Sequence, residues 1–197
     1  MTNRVPSAQS SVVAVTDHLA APIVNAPLAA PGACLGVFER EFDYLCATLR
    51  RLRVPSSDIE DLVHEVFVVM YRRWESYDPR FPIRPWLFGI ALRVAAAHRR
   101  RVFRELPGPG PDLEDPSPGP DQALATRQAR RTVLAALERL PLPRRAVFVM
   151  HHLDNMAMHD IASALGIPKF TAYSRLRKAR QEFEAAVKSI QSDGLSR

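Results

Sequence analysis

The sequence has little of what marks a secreted, metal-binding or membrane-spanning protein. Its 197 residues include only two cysteines, Cys34 and Cys46, with neither a disulfide framework nor the paired spacing of a zinc ribbon. No apolar run is long enough to cross a bilayer, and Asp17 and several prolines interrupt the N-terminal stretch that could be taken for an export signal. We therefore expect a cytoplasmic protein without membrane insertion, metal or cofactor.

What the chain does have is apolar material and positive charge. Hydrophobic residues make up 47% of it, enough for real cores, and the formal net charge is +6. A basic balance favours a polyanionic partner, although charge alone does not separate nucleic acid from an anionic membrane surface.

Proline and glycine divide the chain at one place. The stretch PGPGPDLEDPSPGPD (107–121) cannot form a helix and carries acid without compensating base. Helical spacing dominates on both sides of it, and no alternating pattern indicates a sheet. We predict an all-α protein of two small helical domains joined by a flexible linker, with this division: tail 1–32, domain 33–106, linker 107–121, domain 122–190 and tail 191–197.

The first domain shows three helical segments. The first segment should stop before Pro55, and the second should begin with a capping box formed by Ser57 and Glu60. Pro85 should be the first residue of the third. The second segment carries a single apolar stripe: Ile59, Leu62, Val63, Val66, Phe67, Met70 and Trp74.

The second domain contains the strongest local signal, MHDIASALGIPKFTAYSRLRKAR (Met158 to Arg180). A short helix ends at Gly166, and a longer helix follows with a core stripe on one side and basic residues on the other. This pattern is typical of a helix-turn-helix, in which a packed helix enters the major groove. Arg175 and Lys178 are the first candidates for DNA contact, and Phe170 is expected to pack rather than read DNA.

Three segments, in this order, resemble a known family. DIEDLVHEVFVVMYRRW (Asp58 to Trp74) resembles the polymerase-binding helix of extracytoplasmic-function (ECF) sigma factors of the sigma-seventy family, and PWLFGIALRVAAAHRRR (Pro85 to Arg101) resembles their promoter-melting helix. The segment from Leu140 to Arg180 resembles their region-four domain. Because the ordered set runs from about Phe38 to about Val187, the resemblance covers most of the chain.

The resemblance implies a sigma factor that catalyses nothing itself. Its expected partners are core RNA polymerase, promoter DNA and an anti-sigma factor. The residues implied for core polymerase are Asp58, Asp61, His64 and Glu65. Those implied for DNA are Lys169, Thr171, Tyr173, Ser174, Arg175, Arg177 and Lys178 at the minus-thirty-five element, and Arg93, Arg99, Arg100 and Arg101 near the minus-ten element. Trp86 is a promoter-melting candidate, with a core position as its alternative.

Two other functions stay open at this point. A stand-alone helix-turn-helix regulator would explain Met158 to Arg180 but gives Asp58 to Arg101 no purpose. A metal-dependent enzyme would need a cluster that matches no standard zinc pattern and that the helical pattern places at an exposed helix end. The residues of that cluster are His151, His152, Asp154, His159 and Asp160.

Overall fold

The computed structural model describes residues 32–105 and 123–195, and these residues form helices and turns without a strand. The predicted all-α class is confirmed. No helix in the described ranges is both long and apolar enough to cross a membrane. The predicted N-terminal tail (apart from Gly32) and linker lie outside the described residues. The helices are α1 (Ala33–Arg51), α2 (Ile59–Arg72), α3 (Ile83–Glu105), α4 (Ala123–Glu138), α5 (Leu142–Phe148), α6 (Met158–Leu165) and α7 (Lys169–Leu195).

Helices α1, α2 and α3 form a three-helix bundle in which each helix packs on the other two. The stripe predicted on α2 faces the bundle core, where Leu62, Val63 and Val66 are buried. Phe67 extends it toward α1, its ring centroid 4.6 Å from that of Phe38. A helix with one apolar stripe must bury that stripe against neighbours, and three such helices can bury one another's stripes.

The start of α2 differs from the prediction. The chain first makes a 3-10 turn, Ser56–Asp58, closed by the Asp58 amide donating to the Pro55 carbonyl at 3.0 Å. No side chain caps the helix, and the Ser57 hydroxyl donates instead to the Asp58 carboxylate at 2.7 Å. The predicted capping box is wrong because this turn moves the helix start to Ile59, beyond Ser57.

Two further boundaries shift by a turn or less. Helix α2 ends at Arg72, so Trp74 belongs to a 3-10 turn, Trp74–Ser76, rather than to the helix. Helix α3 begins at Ile83, two residues before Pro85. Proline is tolerated there because amide groups in the first turn of a helix have no partner within it.

The second unit is built around α7, which packs on α4, α5 and α6. Helix α5 continues into a wider π-helical turn, Val149–Leu153, and the Asp154 amide closes it by donating to the Val149 carbonyl at 3.0 Å. Helix α7 continues to Leu195, so the expected C-terminal tail is helical for its first five residues. No proline interrupts the sequence there.

Candidate polymerase and nucleic-acid interfaces

The turn between α6 and α7 has the geometry of a helix-turn-helix. Gly166 has a φ of +62°, which glycine adopts without the penalty of a Cβ atom. The Ile167 amide donates to the Ala162 carbonyl at 3.0 Å, and the Gly166 amide donates to the Ser163 carbonyl at 3.1 Å. These bonds satisfy the last carbonyls of α6 and direct the chain sharply into α7. The predicted layout is confirmed.

Helix α7 has a buried side and a basic side. Ala172, Leu176 and Ala179 are buried, and Phe183 stacks on Phe148 with ring centroids 4.5 Å apart. The opposite side carries the candidate DNA-binding residues. Of these, Thr171 and Arg175 are half-buried, and the exposed ones are Lys169, Tyr173, Ser174, Arg177 and Lys178.

A groove of about 550 Å³ opens beside the first turns of α7. Pro141, Pro143 and Phe170 give it an apolar wall, and Arg175 and Lys178 contribute cations. Since phosphate contacts position a protein on DNA while side chains at base edges read sequence, cations beside an apolar wall suit this helix for both tasks.

The prediction that Phe170 packs is wrong, because its side chain is 75% exposed. Phe170 precedes Ala172 by two residues, which is about 200° around a helix, so it faces away from the buried stripe. Tyr173 is likewise 57% exposed. The first turns of α7 therefore present two exposed aromatic rings to solvent.

Helix α2 exposes an acidic face opposite its buried stripe. Asp61, His64 and Glu65 are all exposed there, and the His64 ring Nδ1 lies 2.9 Å from the Glu60 carbonyl oxygen. The sequence interpretation missed two neighbours on the same face. They are Val68, three residues after Glu65, and Tyr71, seven residues after His64, and both are exposed apolar side chains.

Asp58 is engaged within the bundle, unlike the other candidates for polymerase binding. Its Oδ2 lies 3.0 Å from Nε2 of His98 on α3, and its Oδ1 accepts the bond from Ser57. His98 is itself buried. Asp58 therefore lies against α3 at the start of α2, whereas Asp61 and Glu65 are exposed to solvent.

Helix α3 presents its basic candidates to solvent: Arg93, Arg99, Arg100 and Arg101 are exposed. Arg93 donates to the carbonyl of Gly89 at 3.1 Å, within its own helix. Trp86 is half-buried in an aromatic cluster. Its ring centroid lies 5.1 Å from that of Tyr77 and 6.3 Å from that of Trp74.

A buried carboxylate connects the two helical units. Asp154, just after the π-helical turn, accepts a bond from Arg51 Nη1 at 2.6 Å and one from the Tyr44 hydroxyl at 3.1 Å, both on α1. Its side chain is only 4% exposed. Burial raises the pKa of Asp154, and the charge of Arg51 and the Tyr44 bond oppose that rise. No local pattern indicates this contact, since the partners are more than 100 positions away in sequence.

Arg145, on α5, is another buried charged residue, 1% exposed. It donates to three carbonyls at the end of α4, those of Leu137, Glu138 and Leu140, at 2.6, 3.0 and 2.8 Å. A longer bond of 3.4 Å reaches the Leu52 carbonyl in the first unit. Burial lowers the pKa of Arg145 to about 10, helped by Arg53 and Arg99, so the side chain stays charged at neutral pH.

The described residues do not form the cluster that a metal-dependent enzyme would need. In the part of the chain that the structure describes, no group of three or more His, Cys, Asp or Glu residues could hold a metal ion. Asp154 points to α1, and His152 Nε2 accepts a bond from Arg180 at 2.8 Å. Burial, followed by the charges of Arg180 and His151, lowers the pKa of His152.

Two models of known protein families match the chain and define the class of protein to which it belongs. The model described as Sigma-70 region 2 matches residues 37–104, and the one described as Sigma-70, region 4 matches residues 130–183. Together the matches span more than half of the chain. The chain belongs to the sigma-70 family of RNA polymerase sigma factors and is of the ECF type.

Curated relatives agree with this class. The chain is 29% identical over 153 residues to the RNA polymerase sigma factor NccH of Alcaligenes xylosoxydans xylosoxydans, covering 75% of this chain and 82% of NccH. It is 28% identical to the sigma factor CnrH of Cupriavidus metallidurans, covering 72% and 79%. It is 26% identical to the ECF sigma-E factor of Escherichia coli K12, covering 76% and 84%.

Solved structures share the fold. CnrH in complex with the cytosolic domain of CnrY matches with a TM-score of 0.60 at 23% identity, covering 82% of this chain and 91% of that one. RpoE in complex with the anti-sigma factor NepR, from Bartonella quintana, matches with a TM-score of 0.59 at 22% identity, covering 77% and 97%. This protein is thus a transcription initiation factor that binds core RNA polymerase and directs promoter recognition, and the stand-alone regulator is not favoured.

Proposed function

We propose that the two units divide promoter recognition, with α3 engaging the minus-ten element and α7 reading the minus-thirty-five element while the exposed face of α2 docks on core polymerase. The observation that carries this proposal is the exposed basic side of α7, held by a buried stripe directly after the Gly166 turn. A reading helix needs both features, because it must be fixed from behind while its front enters the groove.

The different roles that we assign to the residues of α7 follow from how exposed their side chains are. Arg175 is half-buried and lines the groove beside Phe170, which suits bidentate contact with a base edge. Lys178 is exposed, which suits contact with a phosphate. Phe170 and Tyr173 add apolar surface for thymine methyl groups and sugars.

The basic end of α3 suits the phosphates of a melted strand. Arg99, Arg100 and Arg101 follow one another and are all exposed, so they can follow a backbone whose path is not that of a duplex. Trp86 is bound into its aromatic cluster, so we assign it to positioning the loop before α3 rather than to stacking on a base.

The docking face on α2 combines charge with an apolar anchor. Asp61 and Glu65 can pair with basic residues of the polymerase and fix the orientation of the complex. Tyr71 and Val68 can supply buried contact area at its centre, as aromatic residues commonly do at interfaces.

We further infer that an anti-sigma protein antagonises this factor in the cytoplasm and that the factor has no catalytic activity of its own. The support is indirect: two proteins of the same fold were solved with CnrY and with an anti-sigma factor, NepR. Co-expression with a candidate antagonist, followed by transcription with core polymerase, tests the inference.

Transcription in vitro with core polymerase and a library of promoter fragments tests the reading helix. Arg175→Ala combined with Lys178→Ala should reduce initiation at least tenfold. The matched control, Arg131→Ala combined with Lys188→Ala, removes the same two charges from exposed positions elsewhere in the second unit and should leave initiation unchanged. Equal initiation by both variants would reject the assignment of α7.

The docking face is tested by charge reversal. Glu65→Arg should weaken binding to core polymerase about tenfold, and Asp61→Arg should add to the loss. Glu184→Arg, an identical change on the exposed surface of α7, is the control. Normal co-purification of the doubly reversed variant with core enzyme would remove the docking face from α2.

A further inference from the structure

Phe170, in the first turn of α7, exposes a larger fraction of its surface than any other large apolar residue in the ranges that the structure describes. That fraction is 75%, compared with 64% for Tyr71 and 57% for Tyr173. Its own helix leaves the ring open, because the residue one turn further along the same face is Ser174, which is small and also exposed. An apolar ring held in water gains free energy when a partner covers it.

The ring belongs to an apolar wall and is not an isolated exposed side chain. Phe170 lines the groove beside α7 together with Pro141 and Pro143, at the start of α5. Both sides of this groove are fixed by backbone hydrogen bonds. The Pro141 carbonyl accepts two amide bonds from the first turn of α5 at 2.9 Å, and the Pro168 carbonyl accepts two from the first turn of α7 at 3.0 and 3.1 Å. The wall is therefore formed before a partner arrives, and binding needs little further ordering.

The major groove of DNA offers such a ring one apolar group. Base edges there present hydrogen-bond donors and acceptors, and thymine alone among the four bases adds a methyl group, at C5. A phenyl ring has no donor, no acceptor and no charge, so polar base edges and phosphates do not suit it. Phosphates suit the cations of Arg175 and Lys178, which line the same groove. The chemistry of Phe170 therefore fits the C5-methyl group of a pyrimidine, either thymine or 5-methylcytosine.

We propose that Phe170 determines part of the promoter specificity by covering the C5-methyl group of one pyrimidine in the minus-thirty-five element. The inference rests on the proposed function, since it needs α7 to lie in the major groove, and it goes further by assigning one base position to one side chain. Tyr173 does not have this role, because it is not among the residues that line the groove with the two prolines.

The position of this pyrimidine follows from the geometry of α7. Phe170 precedes Arg175 by five residues, which is about 7.5 Å along the helix axis. Base pairs in a duplex follow one another at about 3.4 Å. The methyl group should therefore lie within about three base pairs of the position that Arg175 reads, once the reach of the two side chains is included. A methyl-sensitive position elsewhere in the promoter fragment would overturn the assignment.

Deoxyuridine provides the test, because it lacks only the C5-methyl group of thymidine. The full-length factor with core polymerase is bound to promoter fragments in which each thymine of the minus-thirty-five element, on either strand, is replaced in turn by deoxyuridine. One replacement should weaken binding about fourfold, the loss expected for uncovering one methyl group. Phe170→Ala should bind the thymine and deoxyuridine fragments equally. A fourfold difference that survives in Phe170→Ala would overturn the proposal.

Phe81→Ala is the matched control, since it removes another exposed phenylalanine, 59% exposed, from the first unit. It should keep the fourfold difference between thymine and deoxyuridine. Phe170→Leu should keep part of that difference, because leucine still offers apolar surface. Both changes at position 170 leave the packed side of α7 intact, and circular dichroism checks that helicity is unchanged. If Phe170→Ala weakens binding to every fragment equally and the deoxyuridine penalty persists, the ring meets a sugar and the proposal is overturned.

A second set of fragments separates the two sources of the methyl group. Each cytosine of the element is replaced in turn by 5-methylcytosine. A loss with deoxyuridine identifies thymine as the ligand, and a gain with 5-methylcytosine identifies methylated cytosine, provided that the effect disappears in Phe170→Ala. If neither replacement changes binding, the proposal is overturned.

Failure of this inference and failure of the proposed function give different results. If Phe170→Ala changes no methyl dependence while Arg175→Ala still relaxes one promoter position, the inference fails and the proposed function stands. If neither variant changes binding to any fragment, the assignment of α7 to the minus-thirty-five element fails as well.

Discussion

Replacing Arg145 by Met is the sharpest test of how the second unit is held together. The guanidinium closes the corner between α4 and α5 by donating to the carbonyls of Leu137, Glu138 and Leu140. Methionine has a similar length and no donor, so Arg145→Met removes the bonds while it nearly preserves the volume. Arg145 is buried and is not among the residues assigned to the three proposed interfaces, so the effect should be on stability rather than on recognition.

The magnitude comes from two opposing contributions. Leaving the buried carbonyls of Leu137 and Leu140 and the partly buried one of Glu138 without donors costs about 1–3 kcal/mol each, or roughly 3–9 kcal/mol in all. Relief from holding a buried charge works in the other direction. A pKa lowered from 12.5 to about 10 corresponds to about 3 kcal/mol. We therefore expect Arg145→Met to lower the free energy of unfolding by about 3 kcal/mol. Arg145→Lys should be no milder, because it keeps the buried charge and its single ammonium group cannot span the three carbonyls.

Urea unfolding followed by circular dichroism measures the loss, with Arg139→Met as the control. Arg139 lies at the same corner but is exposed, so its replacement should change the free energy of unfolding by less than about 0.5 kcal/mol. A loss below about 1 kcal/mol for Arg145→Met, or a lysine variant as stable as the unchanged protein, would refute the reasoning.

Three further outcomes are expected. Arg175→Ala should relax preference at one promoter position, whereas Lys178→Ala should weaken binding to all sequences alike and reduce its salt dependence, as a set of mutated promoters would show. Because the pKa of His152 is lowered, the unfolded chain binds its proton more readily, so the free energy of unfolding should fall as pH drops below about 6.5, and less so in His152→Gln. Arg53 has a φ of +69°, so Arg53→Gly should stabilise the protein by about 0.5–1 kcal/mol in thermal unfolding; a loss would contradict strain there.

Local patterns predicted those parts of the fold that depend on neighbours in sequence. The apolar stripe of α2 and the Gly166 turn follow from side-chain spacing and from the conformational freedom of one glycine. The exposure of Phe170 could have been predicted as well, since its position relative to Ala172 puts it on the outer side of α7.

Other features depend on contacts that no local pattern carries. In the sequence, Asp154 is an ordinary acidic residue close to His151 and His152. Only the fold brings it to Arg51, 103 positions away. In the sequence, Arg145 looks like any arginine on a short helix. Only its hydrogen bonds to the end of α4 distinguish it. The prediction of a capping box was wrong for a local reason. The Pro55 carbonyl accepts a hydrogen bond from the Asp58 amide, and the resulting turn competes with the cap.

The aromatic cluster of Trp74, Tyr77 and Trp86 has a practical consequence. The chain contains two tryptophans, and both lie in this cluster, with ring centroids 6.3 Å apart. Intrinsic tryptophan fluorescence therefore reports on one place, the junction between α2 and α3, and the second unit contributes no indole emission. A spectral change on adding melted DNA, which contains no tryptophan, can be assigned to that junction without any label, and the residues of α7 can be varied without altering the probe.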